Sequence, residues 1–403
     1  MSLNNTPRAN QLHIGIFGKR NSGKSTLINA ITGHNTALVS EVAGTTTDPV
    51  YKTIEIYGIG PCVLIDTAGF DDEGYLGSMR VEKTRMAMQK TDIALIVCND
   101  DEISTELEWI TEFKARKTPV IVIINKIDRI MNADRISELF FRTCGELPLR
   151  ISALTKAGVE KIREEIIKKL PADFDAKDIT GGLVKEGDTV LLVMPQDIQA
   201  PKGRLILPQV QTLRELLDKK CLVLSCTADQ YKDALASMVK PPKLIITDSQ
   251  VFSLVYENKP EESLLTSFSV LYACYKGDIN YFVESAAAID RLTENSKVLI
   301  AEACTHVPLE EDIGRIKLPR MLRKRVGEGL FIKNVSGNDF PQDVSEYDLI
   351  IQCGACMFNR KYVMNRVEQT QEQKVPMTNY GVVLAYLTGI LDHITLPNAE
   401  LFH

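Results

Sequence analysis

The sequence predicts an α/β protein with three domains. Apolar runs of strand length alternate with amphipathic segments of helical period. Polar side chains that can bind phosphate or metal follow directly after several of these runs. Because parallel sheets bind ligands at the carboxyl ends of their strands, this order predicts ligand sites at strand ends.

The composition is that of an ordinary globular protein. The chain has 403 residues, 44% apolar and 25% charged, which suffices for two or three domains. The net charge of −6 argues against broad binding to nucleic-acid phosphates. From the polar first residues, the nine cysteines and the absence of a long apolar run, we expect a cytoplasmic protein with no membrane span. Its thiols should be free or bound to metal.

The first domain begins with a phosphate-binding loop. The apolar strand Leu12–Phe17 leads into Gly18-Lys19-Arg20-Asn21-Ser22-Gly23-Lys24-Ser25, and a helical pattern starts at Ser25. The glycines let backbone N–H groups point at phosphate oxygens. We expect Lys24 to reach the β- and γ-phosphates and Ser25 to bind Mg²⁺. The predicted nucleotide contacts in this loop are Gly18, Asn21, Ser22, Gly23, Lys24, Ser25 and Thr26.

A second motif, Asp66-Thr67-Ala68-Gly69, follows the apolar run at residues 62–65. In this position Asp66 can act on Mg²⁺ through a water, and the Gly69 amide can sense the γ-phosphate.

Two further motifs predict recognition of guanine. Asn125-Lys126-Ile127-Asp128 follows the buried run Val120–Ile124, and the Asp128 carboxylate matches the N1–H and 2-amino groups of guanine. Ser152 and Ala153 follow another strand end, where their backbone should contact the guanine O6. The sequence therefore predicts GTP rather than ATP.

With these motifs, residues 12–170 resemble the TrmE and Era group of GTPases. The stretch at residues 43–48 resembles switch I of that group, which implies that Thr46, or alternatively Thr45, senses Mg²⁺ and the γ-phosphate. Asn21 matches the asparagine that potassium-activated members use to hold K⁺. Phe70 stands where Ras-like enzymes have a water-positioning glutamine, so we expect slow intrinsic hydrolysis. The expected catalytic residues are Lys24, Thr46 and Asp66.

Short α/β units follow a predicted linker at residues 171–178. We expect strands at residues 189–193, 204–207, 221–225 and 244–247, with helices between them. Units this short bury little apolar surface alone, which favours an association module over a small lid domain. The predicted boundaries are residues 1–172 for the GTPase domain, 173–262 for the dimerisation domain and 263–403 for the last domain.

The last domain places thiols after its strands. Residues 298–300 lead to Glu302 and Cys304-Thr305-His306, residues 348–351 lead to Cys353 and Cys356, and residues 375–378 lead to Asn379 and Tyr380. If these strands are parallel neighbours, the three thiols meet at one sheet edge.

Three thiols with a nearby imidazole could hold zinc or an iron–sulfur cluster. No second cysteine knuckle is evident, so the pattern favours a four-iron cluster with one exchangeable iron. A redox pair formed by Cys353 and Cys356 is the alternative that needs no metal.

Three stretches resemble the HydF family of [FeFe]-hydrogenase maturation GTPases, and the similarity runs along nearly the whole chain. They are residues 187–193, 200–209 and 302–306. The resemblance implies a homodimer whose third domain carries a [4Fe–4S] cluster. It also implies transfer of a [2Fe] precursor to apo-[FeFe]-hydrogenase, with two radical-SAM maturases as further partners.

The chain departs from the family pattern at Gln352, where a histidine usually precedes the first cysteine of the pair. Glutamine is a poor iron ligand, so the fourth ligand is expected to be His306, with Glu302 a weaker alternative, or the fourth iron is labile. The competing function is a GTP-switched RNA-modification or ribosome-assembly factor with a zinc site.

Overall fold

A computed structural model describes residues 7–32, 41–42, 49–67, 83–171, 174, 178–195, 205–302, 313–337, 339–356 and 358–397. The chain divides into two compact units, residues 1–174 and 175–403. Within the described ranges, no helix is both long and apolar enough to cross a bilayer.

The first unit contains a seven-stranded sheet. Its strands are β1 (Leu12–Phe17), β2 (Glu41–Val42), β3 (Val50–Ile56), β4 (Gly60–Asp66), β5 (Ile93–Cys98), β6 (Val120–Ile124) and β7 (Leu149–Arg150). The order is β2-β3-β4-β1-β5-β6-β7. Strands β4, β1, β5, β6 and β7 are parallel, whereas β2 and β3 are antiparallel additions at one edge.

Helices cover both faces of this sheet. They are α1 (Lys24–Thr32), α2 (Ser104–Ala115), α3 (Ala133–Cys144) and α4 (Glu160–Lys168), and residues 83–89 are helical too. Helices α1 and α4 contribute to one apolar core, and α2 and α3 contribute to a second core on the other face. All side chains of β1 and β5 are buried, as expected for strands covered on both faces. The prediction of a doubly wound sheet is confirmed.

The second unit contains two four-stranded sheets, both fully parallel. The middle sheet consists of β8 (Thr189–Val193), β9 (Leu222–Cys226), β10 (Leu244–Thr247) and β11 (Leu264–Ser267), in the order β11-β10-β8-β9. The third sheet consists of β12 (Lys297–Glu302), β13 (Phe331–Ser336), β14 (Leu349–Gln352) and β15 (Met377–Asn379), in the order β13-β12-β14-β15.

The helices of the second unit are α5 (Leu207–Asp218), α6 (Tyr231–Ala236), α7 (Phe252–Asn258), α8 (Phe268–Lys276), α9 (Ile279–Ala286), α10 (Leu318–Val326), α11 (Arg360–Glu372) and α12 (Tyr380–Leu387). One apolar core contains Leu191 and Ile245 of the middle sheet together with Leu299 and Ile350 of the third. Because they share this core, the two sheets form a single compact unit.

Two expectations about the middle domain need correction. The expected strand at residues 204–207 is wrong where it is described, because Leu207 begins α5 and a proline occupies the first helical turn. Strand β11 hydrogen-bonds to β10, so the middle sheet extends past the expected boundary at residue 262.

Candidate functional site

The phosphate-binding loop connects the carboxyl end of β1 to α1. A Cβ atom at Gly18 would lie 2.3 Å from the Val97 carbonyl oxygen, and one at Gly23 would lie 2.3 Å from Asn125 Nδ2. Gly23 has a φ of 93° and Asn21 a φ of 60°. The backbone therefore curls so tightly that Gly18 and Gly23 leave no room for a side chain.

The residues predicted to act on Mg²⁺ lie side by side. Ser25 Oγ donates a hydrogen bond to Asp66 Oδ2 at 3.3 Å. Lys24 Nζ donates to the carbonyl oxygens of Gly18 at 2.6 Å and Lys19 at 2.9 Å, so its side chain folds over the loop. Burial raises the pKa of Asp66, and Lys24 and Ser25 oppose that shift. A divalent cation beside this carboxylate would oppose it further.

Asn125 ties the predicted guanine motifs to the phosphate loop. Its side chain is buried, and its Nδ2 donates to the Ser22 carbonyl oxygen at 2.9 Å. Its Oδ1 accepts from the Ala153 backbone N–H at 3.0 Å. One amide thereby fixes the spacing between the phosphate-binding and base-binding loops.

The carboxylate expected to read guanine is oriented by its neighbour. Ser152 Oγ donates to Asp128 Oδ1 at 2.5 Å, and this bond is the main reason that the pKa of Asp128 lies below its ordinary value. Lys126 has a φ of 62° and donates from Nζ to the Asn21 carbonyl oxygen. Asp128 is exposed and charged, as an acceptor for the guanine edge should be.

Every predicted nucleotide contact that is described lies at the carboxyl edge of the first sheet or in the adjoining loops. Thr46, its alternative Thr45, Gly69 and Phe70 lie outside the described residues.

The third sheet has the strand arrangement that the metal hypothesis requires. In the parallel ladders, Ala301 of β12 pairs with Gln352 of β14, and Gln352 pairs with Asn379 of β15. The Cys353 backbone N–H donates to the Ala301 carbonyl oxygen at 2.9 Å, and Asn379 Nδ2 donates to the Cys353 carbonyl oxygen at 3.2 Å. Cys353 therefore lies at the edge where β12 ends.

The cysteine loop offers thiols surrounded by hydrogen-bond donors. Cys353 and Cys356 are both half-buried. Cys353 Sγ accepts from the Ala355 backbone N–H at 3.4 Å and from Gln352 Nε2 at 3.6 Å, and Ala355 has a φ of 48°. N–H donors around a sulfur favour its anionic or metal-bound form, so these residues fit a soft metal centre.

The other predicted ligands divide into two groups. Cys304 and His306 lie outside the described residues, and the described part of the chain contains no group of three or more His, Cys, Asp or Glu side chains that could hold a metal. Glu302 is described and 4% exposed.

Glu302 already has partners on both carboxylate oxygens. Its Oε2 accepts from Arg315 at 3.3 Å and from Ser336 Oγ at 3.4 Å, and its Oε1 accepts from Tyr380 OH at 3.5 Å. Arg315 lies in the π-helical turn Ile313–Lys317. Glu302 thus connects the end of β12 to the segment that resumes at residue 313, which favours a structural role over metal ligation.

Sequence reasoning missed Arg366 on α11. This arginine is 4% exposed, and its guanidinium lies over the rings of Phe340 and Tyr362, with centroids 4.4 and 4.5 Å away. Its Nη1 donates to Gln352 Oε1 at 2.7 Å. Arg366 shares the buried face of α11 with Tyr362, Val363, Val367 and Thr370. A charged residue in that apolar stripe was the signal available in the sequence.

A phosphate-binding loop, a serine–aspartate pair for Mg²⁺ and a guanine motif on one doubly wound sheet define a P-loop GTPase. In agreement, residues 13–126 match the family described as 50S ribosome-binding GTPase. Residues 179–277 match the hydrogen maturase F dimerization domain, and residues 280–397 match the hydrogen maturase F tetramerization domain. The chain belongs to the hydrogen maturase F family, HydF.

The curated relatives resemble only part of the chain. The tRNA modification GTPase MnmE of Endomicrobium trichonymphae is 35% identical over 167 residues, or 39% of this chain and 35% of the relative. The Aquifex aeolicus protein of the same name is 31% identical over 163 residues, or 40% of this chain and 35% of the relative. The chain therefore spans about a third of the length of these relatives.

Among solved structures, an Era variant from Aquifex aeolicus bound to GDP and aluminium fluoride is 22% identical, with a TM-score of 0.33. The match covers 56% of this chain and 97% of that chain.

The Gly23→Ala substitution is expected to weaken GTP binding by about tenfold or more. The added methyl would displace Asn125 and disturb a buried hydrogen-bond network worth about 1–3 kcal/mol. Titration with a fluorescent GTP analogue measures the effect. Gly60→Ala is the matched control, because Gly60 has a φ of 94° but no described atom within 4 Å of the added Cβ. Equal GTP affinity in the two variants would contradict the role of Gly23.

Proposed function

We propose that this chain is a GTP-hydrolysing iron–sulfur scaffold that assembles or delivers the [2Fe] precursor for apo-[FeFe]-hydrogenase. The observation that carries the proposal is the joining of a GTPase domain to a third sheet in which β14 leads into Cys353 and Cys356, with the Cys353 backbone bonded to the end of β12. Membership of the HydF family supports the same reading. The partners would be two radical-SAM maturases and the hydrogenase, and the location would be the cytoplasm.

Cys304, Cys353 and Cys356 would hold a [4Fe–4S] cluster. The hydrogen bonds on both oxygens of Glu302 leave His306 as the preferred fourth ligand. The cluster would supply an iron with an exchangeable position, suited to a scaffold that accepts and releases cargo. The chain's own contribution is to fix Cys353 at the sheet edge and to surround its sulfur with N–H donors.

The competing function, a GTP-switched RNA-modification or ribosome-assembly factor with a zinc site, draws on the similarity to MnmE. That similarity covers only 39–40% of this chain and leaves the second unit unexplained. The metal bound by the protein distinguishes the two functions.

Anaerobically purified protein should be brown, contain iron and activate apo-[FeFe]-hydrogenase. Replacing Cys304, Cys353 or Cys356 by serine should each remove most of the bound iron and change the electron paramagnetic resonance spectrum, because serine is a weaker iron ligand. Cys226→Ser is the control, since Cys226 lies in the middle sheet. A colourless protein that contains zinc and binds RNA would support the competing function. Unaltered iron in all three serine variants would contradict the site.

We also propose that K⁺ accelerates GTP hydrolysis through Asn21. In potassium the parent chain should hydrolyse GTP about tenfold faster than in sodium. Asn21→Gly should abolish this difference, because glycine tolerates the φ of 60° while removing the side-chain oxygen. Steady-state phosphate release measures both. A potassium effect that persists in the variant would exclude Asn21 as the ligand.

The proposed homodimer forms at the outer edge of β9. The opposite edge of the middle sheet is covered, because the Thr395 N–H donates to the Leu265 carbonyl oxygen of β11. On β9, the Leu222 N–H and the Cys226 carbonyl bond toward β8, so the backbone groups of Val223 and Ser225 point outward. Leu222 is 66% exposed. An edge of this kind suits strand addition by a second copy.

Ser225→Pro should halve the molar mass of the assembly, because proline removes an outward N–H while leaving the bonds to β8. Light scattering gives the mass, and circular dichroism confirms that the fold is retained. Ser225→Ala is the control and should keep the parent mass. An unchanged mass in the folded proline variant would place the interface elsewhere.

A further inference from the structure

Arg366 is a buried cation without a carboxylate partner among the described residues. Its guanidinium donates to the Gly337 carbonyl oxygen at 2.7 Å and to Tyr362 OH at 2.6 Å, in addition to Gln352. These acceptors are neutral, and Arg366 forms no ion pair with a carboxylate among the described residues. Buried guanidinium groups are normally paired with an anion, because desolvating an unpaired charge costs several kcal/mol.

Gln352 connects the Arg366 guanidinium to the cysteine loop through hydrogen bonds. Its side chain is completely buried. An arginine has only N–H donors, so the amide oxygen of Gln352 must face Arg366 and its NH₂ group must face away. That NH₂ group donates to Cys353 Sγ at 3.6 Å. The direction of the hydrogen bond to the sulfur is therefore set by Arg366.

We propose that Arg366, acting through Gln352, is the positioning residue that supplies the counter-charge for anionic sulfur at Cys353. The inference rests on the proposed function, in which Cys353 binds an iron–sulfur cluster. The role of Gln352 is to donate a hydrogen bond to the sulfur of a proposed ligand. A buried cation and an N–H donor next to a cluster sulfur stabilise added negative charge.

The sign of the effect follows from the charge. Reduction adds one electron to the cluster, and a nearby cation stabilises the reduced form more than the oxidised form. Removing the cation should therefore make the cluster harder to reduce.

The test is the midpoint potential of the reconstituted cluster in the full chain, followed by electron paramagnetic resonance. In Arg366→Met the equilibrium constant for reduction should fall about tenfold, which is about 59 mV for a one-electron couple. Arg366→Lys retains the positive charge and should restore most of the parent value. Arg325→Gln is the charge-matched control, because Arg325 is an exposed residue of the same domain that pairs with Asp290 at 2.6 Å. It should leave the potential unchanged.

A second variant keeps the proposal testable if Arg366→Met fails to fold. Gln352→Glu places a carboxylate against the guanidinium and removes the N–H donor to Cys353. The metal-free variant should be at least as stable as the metal-free parent in denaturant unfolding, because Arg366 gains an anionic partner. Once loaded, its cluster should be at least tenfold harder to reduce.

The outcomes separate this inference from the proposed function. A parent chain that takes up no iron contradicts the proposed function. A loaded parent whose reduction equilibrium is unchanged in Arg366→Met contradicts the role of Arg366 alone. If the metal-free Gln352→Glu chain is clearly less stable than the metal-free parent, Arg366 does not need an added anionic partner. That result overturns the inference and does not depend on iron binding.

Discussion

The parallel pairing of β14 with β12 and β15 is the constraint on which the candidate metal centre depends. The register aligns Ala301, Gln352 and Asn379 across the sheet. The backbone of Cys353 is then bonded to both neighbouring strands. A slip of two residues would break these bonds and move the thiol along the strand axis, away from its place beside the end of β12, since residues rise about 3.3 Å each along a strand. The register of the strands therefore determines the position of Cys353 more than the conformation of its loop does.

Parallel strand pairing also determines which residues lie close together in the GTPase domain. Asp66 ends β4, and Asn125 directly follows β6 at the corresponding edge of the first sheet. The buried amide of Asn125 then holds the phosphate loop and the Ala153 loop at a fixed spacing. A nucleotide meets a preformed frame at its guanine end, which reduces the entropy cost of ordering these loops on binding.

Much of the fold and of the candidate site could be predicted from the sequence, because a motif at a strand end is recognised from the strand residues that directly precede it. The phosphate loop, Asp66 and the Asn125 motif follow directly from strand–loop patterns. The parallel arrangement of β12, β14 and β15 was also predictable from the repeated order of strand and ligand residues. The role of Arg366 was not, because it depends on how α11 packs on the sheet, and a residue 14 positions after Gln352 carries no local signal of that contact. The partners of Glu302 could not be predicted either, because they also depend on tertiary packing. They come from three separate segments and are Arg315, Ser336 and Tyr380.

The cysteine loop is also tied to the helix that leads out of the middle sheet. Lys276 at the end of α8 donates from Nζ to the Phe358 carbonyl oxygen at 3.1 Å. Arg360 at the start of α11 donates in return to the Gly277 carbonyl oxygen at 2.6 Å. These bonds hold Phe358 and Arg360, which follow closely after Cys356, and the Lys276 side chain is 3% exposed. Because α8 directly follows β11, a shift of the middle sheet would strain the backbone next to the second thiol. The module proposed to form the dimer and the loop proposed to hold the cluster are therefore connected by side chains that lie outside both motifs.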